Sequence, residues 1–396
     1  MELTQGYKKT EVGMLPEEWE LSTLSDVVDF LDGKRRPVKD SDRAKMRGDF
    51  PYYGASGIVD YVNDFIFDDD LILLGEDGEN ILSRNCRLAF KVSGKIWVNN
   101  HAHVLKPKSE TDIGYLTEYL ESLDYEQYNS GTAQPKLNKK SCSNIPVVCP
   151  PLPEQRAIAA ALSDVDALIV SLDQLTAKKR DIKQATMQEL LTGKRRLPGF
   201  DGEWKVKRLS DLAQIISGGT PKTSNLAYWN GPVKWCTPTD ITSCSGKYLN
   251  QTERSITSVG LSSCSARLLP VGSLLLCSRA TIGEIRIAGA EISTNQGFKS
   301  LICKPDVHND FLYYKLLTMK SQMIEKAIGS TFLEISTKST ADLSVSLPLY
   351  SEQFAIATIL SDMDIEIETL EQKLEKTRLL KQGMMQELLT GKTRLL

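Results

Sequence analysis

Residues 154–194 read EQRAIAAALSDVDALIVSLDQLTAKKRDIKQATMQELLTGK, and residues 352–392 read EQFAIATILSDMDIEIETLEQKLEKTRLLKQGMMQELLTGK. Laid over one another at an offset of 198 with no gap, they match at 24 of 41 positions. Self-similarity at a fixed offset marks a repeat architecture, so the chain reads as two copies of one unit, roughly 15–196 and 197–396. Weaker echoes surround the core of the repeat. Trp19 with Leu24-Ser25-Asp26 recurs as Trp204 with Leu209-Ser210-Asp211, Gly131-Thr132 as Gly329-Ser330, and Pro150 as Pro348.

Each repeated stretch lacks Pro and ends at Leu-Leu-Thr-Gly, with Gly where helices stop. In the second copy Ile356, Leu360, Met363, Ile367, Leu370, Leu374 and Thr377 step by four and three in turn. Leu380 breaks the register by one, and Met384 and Leu388 resume it. The first copy keeps the spacing through Ile158, Leu162, Val165, Ile169 and Leu172, then drifts at Leu175 and Ile182. Sustained 4–3 spacing predicts a coiled-coil seam. A helix of some 37 residues would span roughly 55 Å, too long for an ordinary globular core. Two like helices would meet antiparallel through the same apolar face, with the variable parts at opposite ends of a rod.

The expected organisation is therefore a variable domain over 1–150, a helix over 151–196, a second variable domain over 197–347 and a second helix over 348–396. Within the variable domains, Leu71–Leu74, Leu88–Val92, Lys95–Val98, Ser273–Ser278 and Ile285–Ile287 read as short strands bounded by turn residues. Ile113–Leu123 and Phe311–Ile328 read as helices. The fold class is α+β, mixed α/β: two globular domains separated by two long antiparallel coiled-coil helices in a pseudo-two-fold internal repeat.

Composition narrows the function. The 396 residues hold 48 Lys+Arg against 51 Asp+Glu, a formal net charge of −3, with 41% hydrophobic and 25% charged residues, ordinary globular values. No apolar run approaches the roughly 20 residues of a membrane span. The N-terminal MELTQGYKKTEVG lacks the apolar core of a signal peptide, and the eight Cys include no CxxC pair, so a cytoplasmic protein is expected. His101 and His103 would share one strand face, but the four ligands of a zinc site are not at hand, so surface or hydrogen-bonded histidines are the expectation and no metal is. Walker A, GxGxxG, HExxH and GxSxG motifs are all missing. The chain reads as non-catalytic.

What the variable domains carry is polar and basic loop chemistry. The first has Gly33-Lys34-Arg35-Arg36-Pro37, Tyr52-Tyr53-Gly54-Ala55-Ser56, Asn99-Asn100-His101 and the closing stretch Gln134–Lys140. The second has Gly218-Gly219-Thr220-Pro221-Lys222, Tyr228-Trp229, Ser278-Arg279-Ala280-Thr281, Asn295-Gln296 and Ser336–Ser339. Arg suits guanine edges and Asn or Gln adenine edges, while Lys suits phosphate. Arg35, Arg36, Asn100, Arg279, Asn295 and Gln296 are candidates for base edges. Lys34, Lys136, Lys139, Lys222 and Lys338 are candidates for phosphate. Tyr52, Tyr53, Ser56, Asn99, His101, Gln134, Gly219, Thr220, Tyr228, Trp229 and Thr281 complete the candidate binding surface.

The order of these parts resembles a known family. A Pro-x-x-Trp and Leu-Ser-Asp entry, a variable domain, Pro-Leu-Pro-Glu-Gln-Arg-Ala-Ile-Ala, a long helix and Gln-Glu-Leu-Leu-Thr-Gly-Lys, repeated once, looks like the specificity subunit of type I restriction–modification enzymes (the HsdS family). The likeness covers essentially the whole chain. One departure is Phe354 in the second copy where the first has Arg156. The resemblance implies that each variable domain is a target-recognition domain reading one half of a bipartite, asymmetric double-stranded DNA sequence. It implies that the helices hold the halves apart and dock two methyltransferase (modification) subunits, with two restriction (motor–nuclease) subunits completing the complex. No cofactor is expected in this chain; S-adenosylmethionine, ATP and Mg would sit on the partner subunits. No membrane partner is expected. The competing expectation is a cytoplasmic coiled-coil scaffold joining two protein-binding domains.

Overall fold

A computed structural model describes residues 6–131, 133–328 and 333–395. Thr132, Gly329 and Ser330, which carry one echo of the repeat, lie outside the described residues. The chain divides into two compact units, residues 1–174 with 371–396, and residues 175–370. Each unit thus combines one variable domain with the start of one long helix and the end of the other.

The core of the first unit is built on an antiparallel sheet in which Ala102–Pro107 lies between Val28–Phe30 and Leu71–Gly75, and Ala89–Val92 forms the far edge. The run Leu71-Ile72-Leu73-Leu74 is apolar at every position because both of its faces are covered. Ile72 and Leu74 pack with Tyr115, Leu116 and Leu120 of the helix Ile113–Ser122. Leu71 and Leu73 pack with Ile96, Val98 and Val104. A second sheet joins Arg47–Gly54 to Gly57–Val62 and, in parallel, to Lys95–Val98. The helix Ile113–Ser122 starts at Asp112, whose side chain accepts from the Tyr115 amide at 2.9 Å, an N-cap.

The second unit repeats the plan. Leu274–Leu276 is buried on both faces, Leu274 and Leu276 toward the helix side and Leu275 toward Ile216, Cys236 and Phe298. This strand is shorter than the Ser273–Ser278 expected. The single helix expected over Phe311–Ile328 is two, Asn309–Leu317 and Lys320–Glu325. The break comes where the Thr318 and Met319 amides bond back three residues, to the Lys315 and Leu316 carbonyls, tightening the turn. It lets Met319 and Met323 both enter the core.

Both long helices have 39 residues, Leu152–Leu190 and Tyr350–Leu388, about 58 Å at 1.5 Å per residue. A short strand precedes each: Pro146–Cys149 pairs with Glu20–Thr23, and Ser344–Leu347 with Lys205–Arg208. In the first unit Ile158 and Leu162 share a core with Leu388 and Leu389. In the second, Ile356, Ala357 and Leu360 share one with Leu190 and Leu191. Within each unit the segments run antiparallel, as Lys381–Asp166 (2.6 Å) and Arg378–Asp173 (3.1 Å) show in the first. Lys179–Glu366 (2.6 Å) and Lys183–Asp364 show the same in the second. The register breaks have a cause. Leu175 and Ile182 are 39% and 41% exposed, while Thr176 and Lys183 turn inward in their place. Leu380 is likewise 57% exposed beside the inward Lys381. Among the described residues no helix is long and apolar enough to cross a membrane.

Candidate nucleic-acid interface

In the first unit, segments far apart in sequence gather at one end of the sheet. The 3-10 turn Asp32–Lys34 follows the strand Val28–Phe30. Gly75 ends the central strand, and a Cβ there would stand 2.9 Å from the Ala55 carbonyl. The Glu76 amide donates to the His101 carbonyl at 2.8 Å, and the Leu137 amide to the Glu76 carbonyl at 2.7 Å. Four of the expected polar loops, 33–36, 53–56, 99–101 and 134–139, therefore adjoin one another through residues 75–77.

The second unit assembles the corresponding loops. The Gly219 amide donates to the Thr294 carbonyl, the Ser278 amide to the Gly297 carbonyl, and the Ile335 amide to the Ser278 carbonyl, all at 2.8–2.9 Å. Thr220 hydrogen-bonds Gln296, and Ser217 Oγ lies 3.5 Å from Thr337 Oγ1. Loops 217–222, 278–281, 294–297 and 336–338 are thereby joined. Asn99 and Asn295 play one role in the two units. Each carboxamide oxygen accepts the amide two residues on, of His101 and Gly297, at 2.8 Å. Each backbone amide bonds the neighbouring strand at Tyr53 or Cys236.

The expected contact residues fall into two groups. Lys34, Arg36, Ser56, Asn100, His101, Gln134, Lys136, Lys139, Lys222, Gln296 and Lys338 are exposed, and Tyr53, Thr220, Tyr228, Arg279, Thr281 and Asn295 are half-buried. Others are structural, which corrects the expectation. Tyr52 is 1% exposed, stacked with Trp97 and accepting a hydrogen bond from the Val38 amide. Trp229 is buried edge-on to Trp235, with Arg254 lying 3.8 Å from its ring centroid. Asn99 is buried in its turn, and Gly219 is buried against Ser265 and Ala266. Arg35 is committed inward, donating to Glu76 at 2.6 Å and to the Ala102 carbonyl at 2.7 Å.

Charge is arranged differently in the two clusters. In the first, Lys136 pairs with Glu76 (3.4 Å), His101 with Asp77 (2.9 Å), and the buried His103 with Asp32 (2.7 Å). Burial opposes ionisation of Asp32, yet His103 and the Val104 amide hold its carboxyl below the usual range. In the second, Glu334 lies between Arg279 (3.3 Å) and Lys299 (3.5 Å).

The repeated signature lies elsewhere, at the ends of the long helices. Gln155 accepts from the Asp112 amide and donates to the Pro150 and Glu110 carbonyls. Gln353 accepts from the His308 amide and donates to the Pro348 and Asp306 carbonyls. Buried Glu154 receives Arg394 at 2.6 and 2.8 Å, and buried Glu352 receives Arg196 at 2.6 and 2.7 Å. Gly193 and Gly391 take φ of 71° and 70°, the left-handed turn that ends each helix. They also lie against the rings of Trp204 and Trp19. The two arginines were missed from sequence, although each stands three residues past its Gly.

The family described as Type I restriction modification DNA specificity domain matches this chain twice, at residues 16–183 and 201–377. The type I restriction enzyme MjaIX specificity subunit of Methanocaldococcus jannaschii is 37% identical over 175 residues, 44% of this chain and 40% of that protein. That match spans two fifths of the relative's length. The MjaVIII specificity subunit of the same organism is 26% identical over 98% of this chain and 96% of its own. Among solved structures, the S subunit of a type I restriction–modification system from M. genitalium superposes with a TM-score of 0.63 over 98% of both chains at 15% identity, a likeness of fold.

Proposed function

This chain belongs to the type I restriction–modification DNA specificity family, and on that premise we propose that it selects the DNA target for a multisubunit methyltransferase and endonuclease. Each unit reads one half of a bipartite, asymmetric double-stranded sequence through its gathered loops. The two long helices set the distance between the halves and dock two methyltransferase subunits, and two restriction subunits complete the complex. The chain itself performs no chemistry: S-adenosylmethionine, ATP and Mg belong to the partners. It works in the cytoplasm, where the DNA is. The observation that carries this reading is the gathering of sequence-distant polar loops at the matching end of each unit's sheet, through equivalent hydrogen bonds. Exposed Lys34, Lys139, Lys222 and Lys338 hold phosphate, with a lesser share for Lys136, which is paired with Glu76. We read Arg36, Asn100, Arg279 and Gln296, each at least partly exposed, as the side chains that meet base edges.

The test is a map of methylated adenines in a host expressing this chain with its methyltransferase. Two short sequences separated by a fixed non-specific spacer are expected. A single uninterrupted motif, or methylation without sequence preference, would refute the reading.

A further inference from the structure

Beneath the polar loops of the first unit lies one histidine, His103, 1% exposed. Its Nδ1 is 2.7 Å from Asp32 Oδ2, and its Nε2 is 2.8 Å from the Leu137 carbonyl oxygen. Both neighbours can only accept: one is a carboxylate held in its ionised form, the other a backbone carbonyl. A neutral imidazole has a single N–H, so it would leave a ring lone pair facing an oxygen lone pair at under 3 Å. The imidazolium satisfies both contacts. Around it stand the Glu76 carboxylate at 3.8 Å, the Phe30 ring edge and the Cys142 thiol. Arg35 and Lys136 balance the carboxylates. Burial alone would lower the imidazole pKa, but the Asp32 carboxylate at 2.7 Å outweighs it and holds the ring well above its ordinary value.

What this ring joins is the candidate interface. Asp32 opens the turn that carries Lys34 and Arg36, and its other oxygen accepts from the Val104 amide. Leu137 stands inside the stretch carrying Gln134, Lys136 and Lys139, and also anchors on the Glu76 carbonyl. The second unit has a cation in the corresponding place. His103 follows Ala102, the pairing partner of Gly75; Lys299 follows Phe298, the partner of Cys277. The Lys299 side chain is 8% exposed and reaches Glu334, which is bridged to Arg279.

We propose that each unit carries one buried cation, His103 as imidazolium in the first and Lys299 in the second, that pins its recognition loops as a positioning residue for target reading. The positioning role rests on the assignment of these loops to DNA; the charge of His103 does not.

The chain has three histidines, so ring-nitrogen resonances of the full chain labelled with 15N-histidine are few enough to assign through His→Gln variants. His103 should show two protonated ring nitrogens at pH 8, where His308, whose pKa burial lowers, is neutral. A single protonated nitrogen on His103 at pH 8 overturns the proposal. In the complex with its methyltransferase, His103→Gln should weaken discrimination at the first half-sequence about tenfold and leave the second unchanged. His103→Lys, the residue used in the second unit, should keep discrimination within about twofold. An unchanged methylation map for His103→Gln overturns the positioning role. A wild-type complex that selects no sequence overturns the DNA assignment, and the positioning role with it, while the ring-nitrogen result stands.

Discussion

Arg394 reaching Glu154 and Arg196 reaching Glu352 are the same contact made twice, yet their surroundings differ: Arg394 also reaches the exposed Glu18 at 3.2 Å, and the tryptophans bond differently. Trp19 Nε1 donates to Glu154 at 2.9 Å, whereas the equivalent Trp204 Nε1 is buried without a hydrogen-bond partner. Both rings lie against a guanidinium, Arg394 over Trp19 and Arg196 over Trp204. Replacing either Trp by Phe removes a similar amount of ring, but Trp19 is fully buried and Trp204 only partly, so the difference between the two variants combines the bond to the carboxylate with that difference in burial. A hydrogen bond to a charged group contributes about 1.5–3 kcal/mol. Trp19→Phe should therefore lower unfolding stability by at least that much more than Trp204→Phe, measured by urea denaturation. Equal losses would mean that Glu154 is satisfied by Arg394 alone. Arg196→Ala, in turn, should lower the urea midpoint of its unit more than Arg394→Ala, because Glu352 has no Trp donor to fall back on.

The elements were legible from sequence in proportion to how local their causes are. The long helices follow from the 4–3 apolar spacing and from a repeat that matches at 24 of 41 positions, and the doubly buried strands from runs such as Leu71–Leu74. The seam departs from the apolar pattern because Lys183 and Lys381 turn inward to Asp364 and Asp166, and no hydrophobic periodicity announces a half-buried ion pair. Nor could sequence separate Tyr52 and Trp229, which hold strands together, from Tyr53 and Tyr228 beside them, since adjacent aromatic residues near a turn suit a core or an interface equally. The spatial gathering of loops 33–36, 99–101 and 134–139 depends on strand order, which is non-local. The helices also make a prediction. Each ends locked to the start of the other, by Arg394 to Glu154 and by Arg196 to Glu352, so added length must enter both. Inserting four residues after Gln174 and four after Leu370 adds about 6 Å at 1.5 Å per residue, nearly two base pairs at 3.4 Å. The spacer of the methylated motif should lengthen accordingly while both half-sequences stay the same. An unchanged spacer would show that the helices do not set it.

At the scale of the whole molecule, the net charge of −3 is an uneven sum. Residues 1–150 hold 18 basic and 25 acidic residues, and residues 197–347 hold 16 and 12, so the two variable segments carry −7 and +4. The structure sharpens this contrast at the interface itself. In the first unit Arg35, Lys136, His101 and His103 are each paired with a carboxylate of Asp32, Glu76 or Asp77. In the second, one carboxylate, Glu334, serves both Arg279 and Lys299, and Lys222 and Lys338 stand exposed. Phosphate neutralisation supplies most non-specific affinity for DNA, and cations already paired with carboxylates add little to it. The lone chain should therefore hold duplex DNA weakly at physiological salt, with the second unit making most of the contact. Lys222→Ala should flatten the salt dependence of binding by about one phosphate contact, and Lys136→Ala by clearly less. If the proposed methyltransferase subunits supply positive charge around the duplex, adding them should raise both the affinity and the salt slope. Tight binding by the lone chain, with a salt slope that the partners do not change, would show that this subunit grips DNA unaided and that the charge deficit of its first unit is made good by residues other than those named here.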